Sequence, residues 1–143
     1  MPVRIFLAGI MQGSHFGAVM HHQGYRGRLK ELLAASWPEA LVYDPLADHE
    51  QSLDYAEDRG REVFLHHNRM CGETDLLIAF VPEATMGTAI EMWEAFRHGK
   101  QVVTISPLHH NWAVRYCSNL LYPDVESFEA DLVSGRLRER LGL

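Results

Sequence analysis

Residues 75–106 constrain this chain more than any other stretch. "DLLIAFV" (75–81) and "QVVTIS" (101–106) are unbroken apolar runs, and between them "GTAIEMWEAFRHG" (87–99) carries apolar residues at helical spacing and ends on Gly99. A strand, a helix of about three turns and a second strand without polar alternation form a crossover unit, whose strands lie parallel and are covered on both faces. The other segments repeat the theme. "VRIFLAG" (3–9) reads as a buried strand ended by glycine, and "ALVYDP" (40–45) as a short strand stopped by Asp-Pro. "SNLLYP" (118–123) reads as a short fifth strand.

Helices fill the gaps. "YRGRLKELLAA" (25–35) sets Leu29, Leu32 and Leu33 on one face, and "AEDRGREVFLHHNRM" (56–70) has Val63, His67 and Met70 at helical spacing with Phe64 beside them. In 87–99 the inward residues are read as Ala89, Trp93 and Phe96. The last helix, 124–141, opens on Asp124 as N-cap and buries Val125, Phe128 and Leu132. The expected fold is one α/β domain over residues 1–143: a flavodoxin-like three-layer sandwich with a five-stranded parallel sheet in the order 2-1-3-4-5. Ligands of such sheets bind at the carboxyl ends of the strands, here loops 9–24, 45–54, 82–88 and 106–117. Glycines, hydroxyls and histidines concentrate there.

Composition removes several function classes. The net charge of −6 argues against a general nucleic-acid binder, though a local pocket on an acidic protein can still hold a small anion. No apolar run is long enough for a membrane span, and the amino terminus lacks the cleavage site of a secretory leader. Cys71 and Cys117 are far apart and in no CxxC arrangement, so reduced thiols in a cytoplasmic protein are expected. The nine histidines include pairs at 21–22, 66–67 and 109–110, but none is spaced to share a metal. No metal and no other cofactor is expected. His15 and His109 lie in crevice loops, where either could touch a ligand or simply face solvent. "RLRER" (136–140) is a solvated basic stretch that suits a helix end.

Four further places could carry chemistry. "TAIE" (88–91) fits a capping box with Thr88 as N-cap and Glu91 reaching back to its amide. It equally fits an ionised carboxylate at a helix N-terminus, cleared of neighbouring bulk by Gly87 and able to attack an electrophilic carbon. Asp75 is either a turn residue at the head of a strand or a second carboxylate. "GIMQGS" (9–14), with the amides of Gly9 and Gly13 and the Ser14 hydroxyl, is either a tight turn or a phosphate cradle. Asn111 and Trp112 either open a short helix over a buried indole or bind a sugar and stack on a base.

Taken together, "RIFLAGI", "TDLLIAFVPEATMGTAIEMWEAFRHGKQVV" and "NWAV" resemble, in order, the nucleoside 2-deoxyribosyltransferase-like superfamily, which includes the 2′-deoxynucleoside 5′-monophosphate N-hydrolases and CMP N-glycosidases. The resemblance implies that Glu91 is the nucleophile, attacking C1′ of the sugar and forming a glycosyl-enzyme ester. It implies that Asp75 assists the departing base and stands about 5 Å from Glu91, as paired carboxylates of retaining glycosidases do. Phe6 occupies the place of a tyrosine whose hydroxyl would orient the nucleophile, and Arg69 falls near an aspartate that many members carry. Thr85 stands six residues before Glu91, where the exchanging transferases carry an acid and the monophosphate hydrolases a hydroxyl. A hydroxyl there suits a 5′-phosphate, with Gly9, Gly13, Ser14 and Gly87 around it. Asn111 and Trp112 match a segment that crosses into an adjacent subunit's site, which implies a homodimer or higher homo-oligomer.

The implied function is cleavage or exchange of the N-glycosidic bond of a nucleoside or its 5′-monophosphate, with no macromolecular partner beyond a second copy. The alternative is a non-catalytic nucleotide-binding or regulatory domain of the same fold. A flavodoxin-type electron carrier fits poorly, because the first loop lacks a Ser/Thr-rich phosphate cradle.

Overall fold

The computed structural model describes residues 1–11 and 23–143. The strands are β1 (Arg4–Gly9), β2 (Leu41–Tyr43), β3 (Leu76–Phe80), β4 (Gln101–Ile105) and β5 (Leu120–Tyr122). The helices are α1 (Gly24–Ser36), α2 (Glu57–Glu73), α3 (Met86–Arg97), α4 (Trp112–Tyr116), α5 (Val125–Val133) and α6 (Arg136–Leu141), with one 3₁₀ turn at Ser52–Asp54. All five strands are parallel, in the order β2-β1-β3-β4-β5, as the apolar runs predict.

Alternation along each central strand divides the core in two. Ile5 and Leu7, Leu76 and Ile78, and Val103 and Ile105 face one layer, where Leu29 and Leu33 of α1 and Phe128 and Leu132 of α5 meet them. Phe6 and Ala8, Leu77 and Ala79, and Val102 face the other, under Cys71 of α2, Met92 and Ala95 of α3, and Val114 of α4. The second layer is built from smaller side chains, and it is the layer that carries Glu91. Among the described residues, no helix is long and apolar enough to cross a membrane.

Two expectations are corrected. The buried stripe of α3 is Thr88, Met92 and Ala95, so Trp93 and Phe96 point outward, about half exposed. The helix carries apolar residues on both faces, and the small alanine, not the large aromatics, packs against the sheet. The last helix is two helices, because Gly135 takes a left-handed φ of 81° between them. Asp124 does cap α5, accepting from the Ser127 amide at 2.8 Å.

Candidate active site

Helix α3 starts three residues earlier than a capping box on Thr88 would require. Thr85 is the N-cap and Thr88 lies buried inside the first turn, its hydroxyl 3.3 Å from that of Thr85. Glu91 therefore falls in the second turn, beyond reach of the N-cap amide, and the capping reading is overturned. Its side chain instead forms part of the wall of a hollow of about 200 Å³, together with Gly9, Thr85, Gly87 and Thr88. The opening amides of α3, which have no preceding carbonyl to bond, lie along the same wall. Gly87 keeps that wall low: a Cβ there would meet nothing among the described residues. Gly9 is required for a different reason, since a Cβ on it would come within 2.8 Å of the Tyr25 ring carbons.

The Cys71 thiol, wholly buried, lies 3.8 Å from Glu91 Oε2 and donates to it. Among the described residues no cation pairs with Glu91. Burial pushes the Glu91 carboxyl up to about 7, with the Arg26 guanidinium and the Cys71 thiol pulling the other way. The expectation that the helix dipole keeps Glu91 ionised assumed a place in the first turn; Glu91 lies in the second, where that effect has faded, and removal from water raises its carboxyl. Burial, reinforced by the neighbouring Glu91 charge, also raises the Cys71 thiol, so it stays a donor and never a thiolate at physiological pH.

Arg26 anchors the floor of this end of the sheet. It is almost fully buried, donating to the carbonyls of Leu7 (3.2 Å) and Gly9 (3.1 Å) and to Asp44 Oδ1 (3.2 Å). Lys30 holds the other oxygen of Asp44 at 3.1 Å. A buried arginine satisfied in this way fixes the carboxyl ends of β1 and β2 and leaves a positive charge behind the hollow.

Asp75 is elsewhere. It precedes β3, at the amino end of the sheet, and accepts from the Arg4 amide (2.8 Å), Arg4 Nε (3.1 Å) and Arg4 Nη2 (3.1 Å). Those Arg4 hydrogen bonds hold its carboxyl below the usual range. The five residues of β3, roughly 16 Å of strand at ~3.3 Å each, lie between it and the crevice. The structure does not bring Asp75 and Glu91 together.

Phe6 is almost fully buried and does not line the hollow; its ring packs 5.6 Å from Tyr43 and 6.2 Å from His67, centroid to centroid. Asn111 caps α4 through the Val114 amide at 3.2 Å, and Trp112 is about three-quarters exposed. Neither reaches the Glu91 hollow: Asn111 borders a separate apolar groove of about 420 Å³ on the far side of Thr85 and Met86. Gly13, Ser14 and His15, with the phosphate cradle expected of that loop, lie outside the described residues.

Several residues that the sequence reading passed over complete the site. Asn68 borders the hollow, donates to the Phe64 carbonyl at 2.8 Å, and leaves its buried Oδ1 without a partner among the described residues. A second chamber of about 320 Å³ adjoins the first, walled by His49, Tyr55, Val63 and His67. Met11, Pro45, Phe64 and His67 belong to both. The available signal was on α2: Gly60, Val63, Phe64, His67, Asn68 and Cys71 recur at three- and four-residue spacing and mark its cleft-facing stripe.

A parallel sheet of this order, with helices on both faces and a carboxylate on the helix after β3 at the crevice, is a flavodoxin-like α/β sandwich. No family model matches the sequence, and no curated protein matches it either. The likeness is to solved structures. A 2-deoxyribosyltransferase from Bacillus psychrosaccharolyticus is similar over 91% of this chain and 96% of its own, with TM-score 0.66 and 17% identity. The CMP N-glycosidase BcmB of Clostridium botulinum is similar over 90% and 97%, with TM-score 0.53 and 20% identity. A conserved protein of Enterococcus faecalis V583 is similar over 94% and 87%, with TM-score 0.55 and 18% identity. At these identities it is the fold that is shared.

Proposed function

We propose that this protein cleaves or exchanges the N-glycosidic bond of a nucleoside or its 5′-monophosphate, with Glu91 as nucleophile. The observation that carries the reading is the position of Glu91: on the wall of a hollow, free of any salt bridge among the described residues, held only by a buried thiol. A carboxylate in that setting is costly to ionise and gains most when a positive charge develops in front of it. The oxocarbenium-like state of glycosidic cleavage supplies that charge. One oxygen then bonds to C1′ as the bond to the base breaks, and water or a second base resolves the ester. The opening amides of α3 and the hydroxyl of Thr85 suit a 5′-phosphate. The fold shared with a 2-deoxyribosyltransferase and a CMP N-glycosidase agrees with this class of reaction.

The active form is a homodimer or higher assembly. Met86, Ile90, Trp93 and Phe96 on α3 and Trp112 and Tyr116 on α4 leave large apolar side chains exposed, beside the groove that Asn111 borders. A second copy covering this face would bury them.

The test is incubation with a panel of nucleosides and their 5′-monophosphates, with free base read by chromatography and a second base added to detect exchange. Base release abolished in Glu91→Gln supports the reading. Tight binding without base release, unchanged by Glu91→Ala, supports a non-catalytic nucleotide-binding domain instead.

A further inference from the structure

With Asp75 bound to Arg4 at the far end of the sheet, the departing base needs another partner. Among the described residues lining the two chambers, the titratable side chains are Glu91, His49, Tyr55 and His67. Glu91 is committed to the sugar. Of the other three, only His67 borders both chambers, so it stands where a bond between a sugar in one and a base in the other would break.

Its surroundings fix its chemistry. His67 Nε2 lies 3.2 Å from the Tyr43 hydroxyl, and its ring sits 5.2 Å from that of His49, which is itself bonded to Tyr55 Oη at 2.7 Å. If Tyr43 donates to Nε2, the ring proton is on Nδ1, which has no partner among the described residues. Burial first, then the neighbouring His49, His66 and Arg26, lower His67 to about 4, against a smaller opposing effect of Asp48. The ring is neutral at pH 7: it shares a proton without surrendering it.

Resting on the glycosidic reading above, we infer that His67 receives the departing base, donating Nδ1–H to the carbonyl oxygen beside the glycosidic nitrogen of a 2-oxopyrimidine. In that step a Glu91 oxygen bonds to C1′ and the electrons of the C1′–N bond pass to the base. The anion is spread onto the carbonyl that His67 holds, and water later protonates it. Purines carry no carbonyl next to the glycosidic nitrogen and depart best when protonated, so a neutral donor serves them poorly.

The experiment compares two substrates with the same sugar: a pyrimidine nucleoside (and its 5′-monophosphate) and a 4-nitrophenyl glycoside, whose phenolate leaves without help. His67→Ala is expected to lose about 10²–10³-fold on the pyrimidine, the usual cost of a donor to a developing anion. On the 4-nitrophenyl glycoside it should stay within about 5-fold of the parent. Equal losses on both, no loss on the pyrimidine, or adenine release as fast as pyrimidine release would overturn the inference. Glu91→Gln must lose both substrates; if it loses neither, the glycosidic reading itself has failed. Should His67→Ala not fold, Tyr43→Phe serves instead, with a smaller loss confined to the pyrimidine. Nitrogen NMR of the free protein decides independently of turnover: His67 neutral at pH 7 with its proton on Nδ1 is expected, and an imidazolium or an Nε2–H tautomer contradicts the proposal.

Discussion

The two ends of the central sheet hold the same chemical group in opposite conditions. At the amino end, Asp75 is wrapped by three donors from Arg4, sits near solvent and is held below its ordinary carboxylate range. At the carboxyl end, Glu91 has a single weak thiol donor among the described residues and is pushed up to about 7. Both are short-chain acids near β3. One spends its ionisation on a local ion pair and has no capacity left to act. The other is left poised, so that a ligand completes its environment. A carboxylate becomes reactive through what the fold withholds from it.

The sharpest way to break this comparison is to neutralise each end in turn. Glu91→Gln is expected to reduce base release by about 10³-fold or more, while Asp75→Asn changes it by less than about 3-fold, both read by chromatography of free base. A large loss in Asp75→Asn with unchanged melting would return Asp75 to the site.

Next come the ion pairs that support the two ends. Removing Asp44 strands the buried Arg26 guanidinium, so Asp44→Ala should cost about 3–5 kcal/mol in urea unfolding. The exposed Arg4–Asp75 pair should cost no more than about 1 kcal/mol when Asp75 is replaced. Similar costs at both ends would show that the carboxyl end is no more tightly built.

The third is linkage. In the unfolded chain Glu91 ionises near 4.5, but in the folded protein near 7, so folding favours its protonated form. That contribution is present below pH 4.5 and disappears as pH rises towards 7. Glu91→Gln does not lose it, and at pH 8 should be more stable than the parent by about 2–3 kcal/mol. Near pH 4 the two should match. A destabilised Gln variant at pH 8 would mean that the hollow was never strained by charge.

The smallest expected effect tests the thiol. Cys71→Ala removes a hydrogen bond that favours the charged form, so the limb of the activity profile that reports Glu91 should move up by a few tenths of a pH unit. Cys71→Ser should retain a donor and move it little.

What the sequence reveals follows the range over which each feature is encoded. Parallel strand order follows from continuous apolar runs and from helices of crossover length. Glu91 is legible because it sits near the start of the helix that follows a strand the sequence marks plainly. Asp75 is legible as the head of a strand, the end away from the crevice; the resemblance alone put it in the site, and its actual partner, Arg4, is 71 positions away, beyond any local pattern. The His49–His67–Tyr43 cluster joins a loop, a helix and a strand end, so no spacing rule contains it. The outward Trp93 and Phe96 are missed because size suggests burial, whereas the sheet in that layer admits only Met92 and Ala95. Of the candidate site, one carboxylate and the helix entrance around Thr85 and Gly87 are readable; the walls are tertiary.

The most direct test of the central claim is mass spectrometry after reaction with a 2′-fluoro nucleoside analogue, which slows turnover of a glycosyl ester. Trypsin leaves Glu91 and Asp75 on one peptide, residues 70–97, so fragmentation assigns the adduct between them. The account predicts the sugar's mass on Glu91. Base release without any adduct on Glu91, or an adduct carried by Asp75, contradicts it.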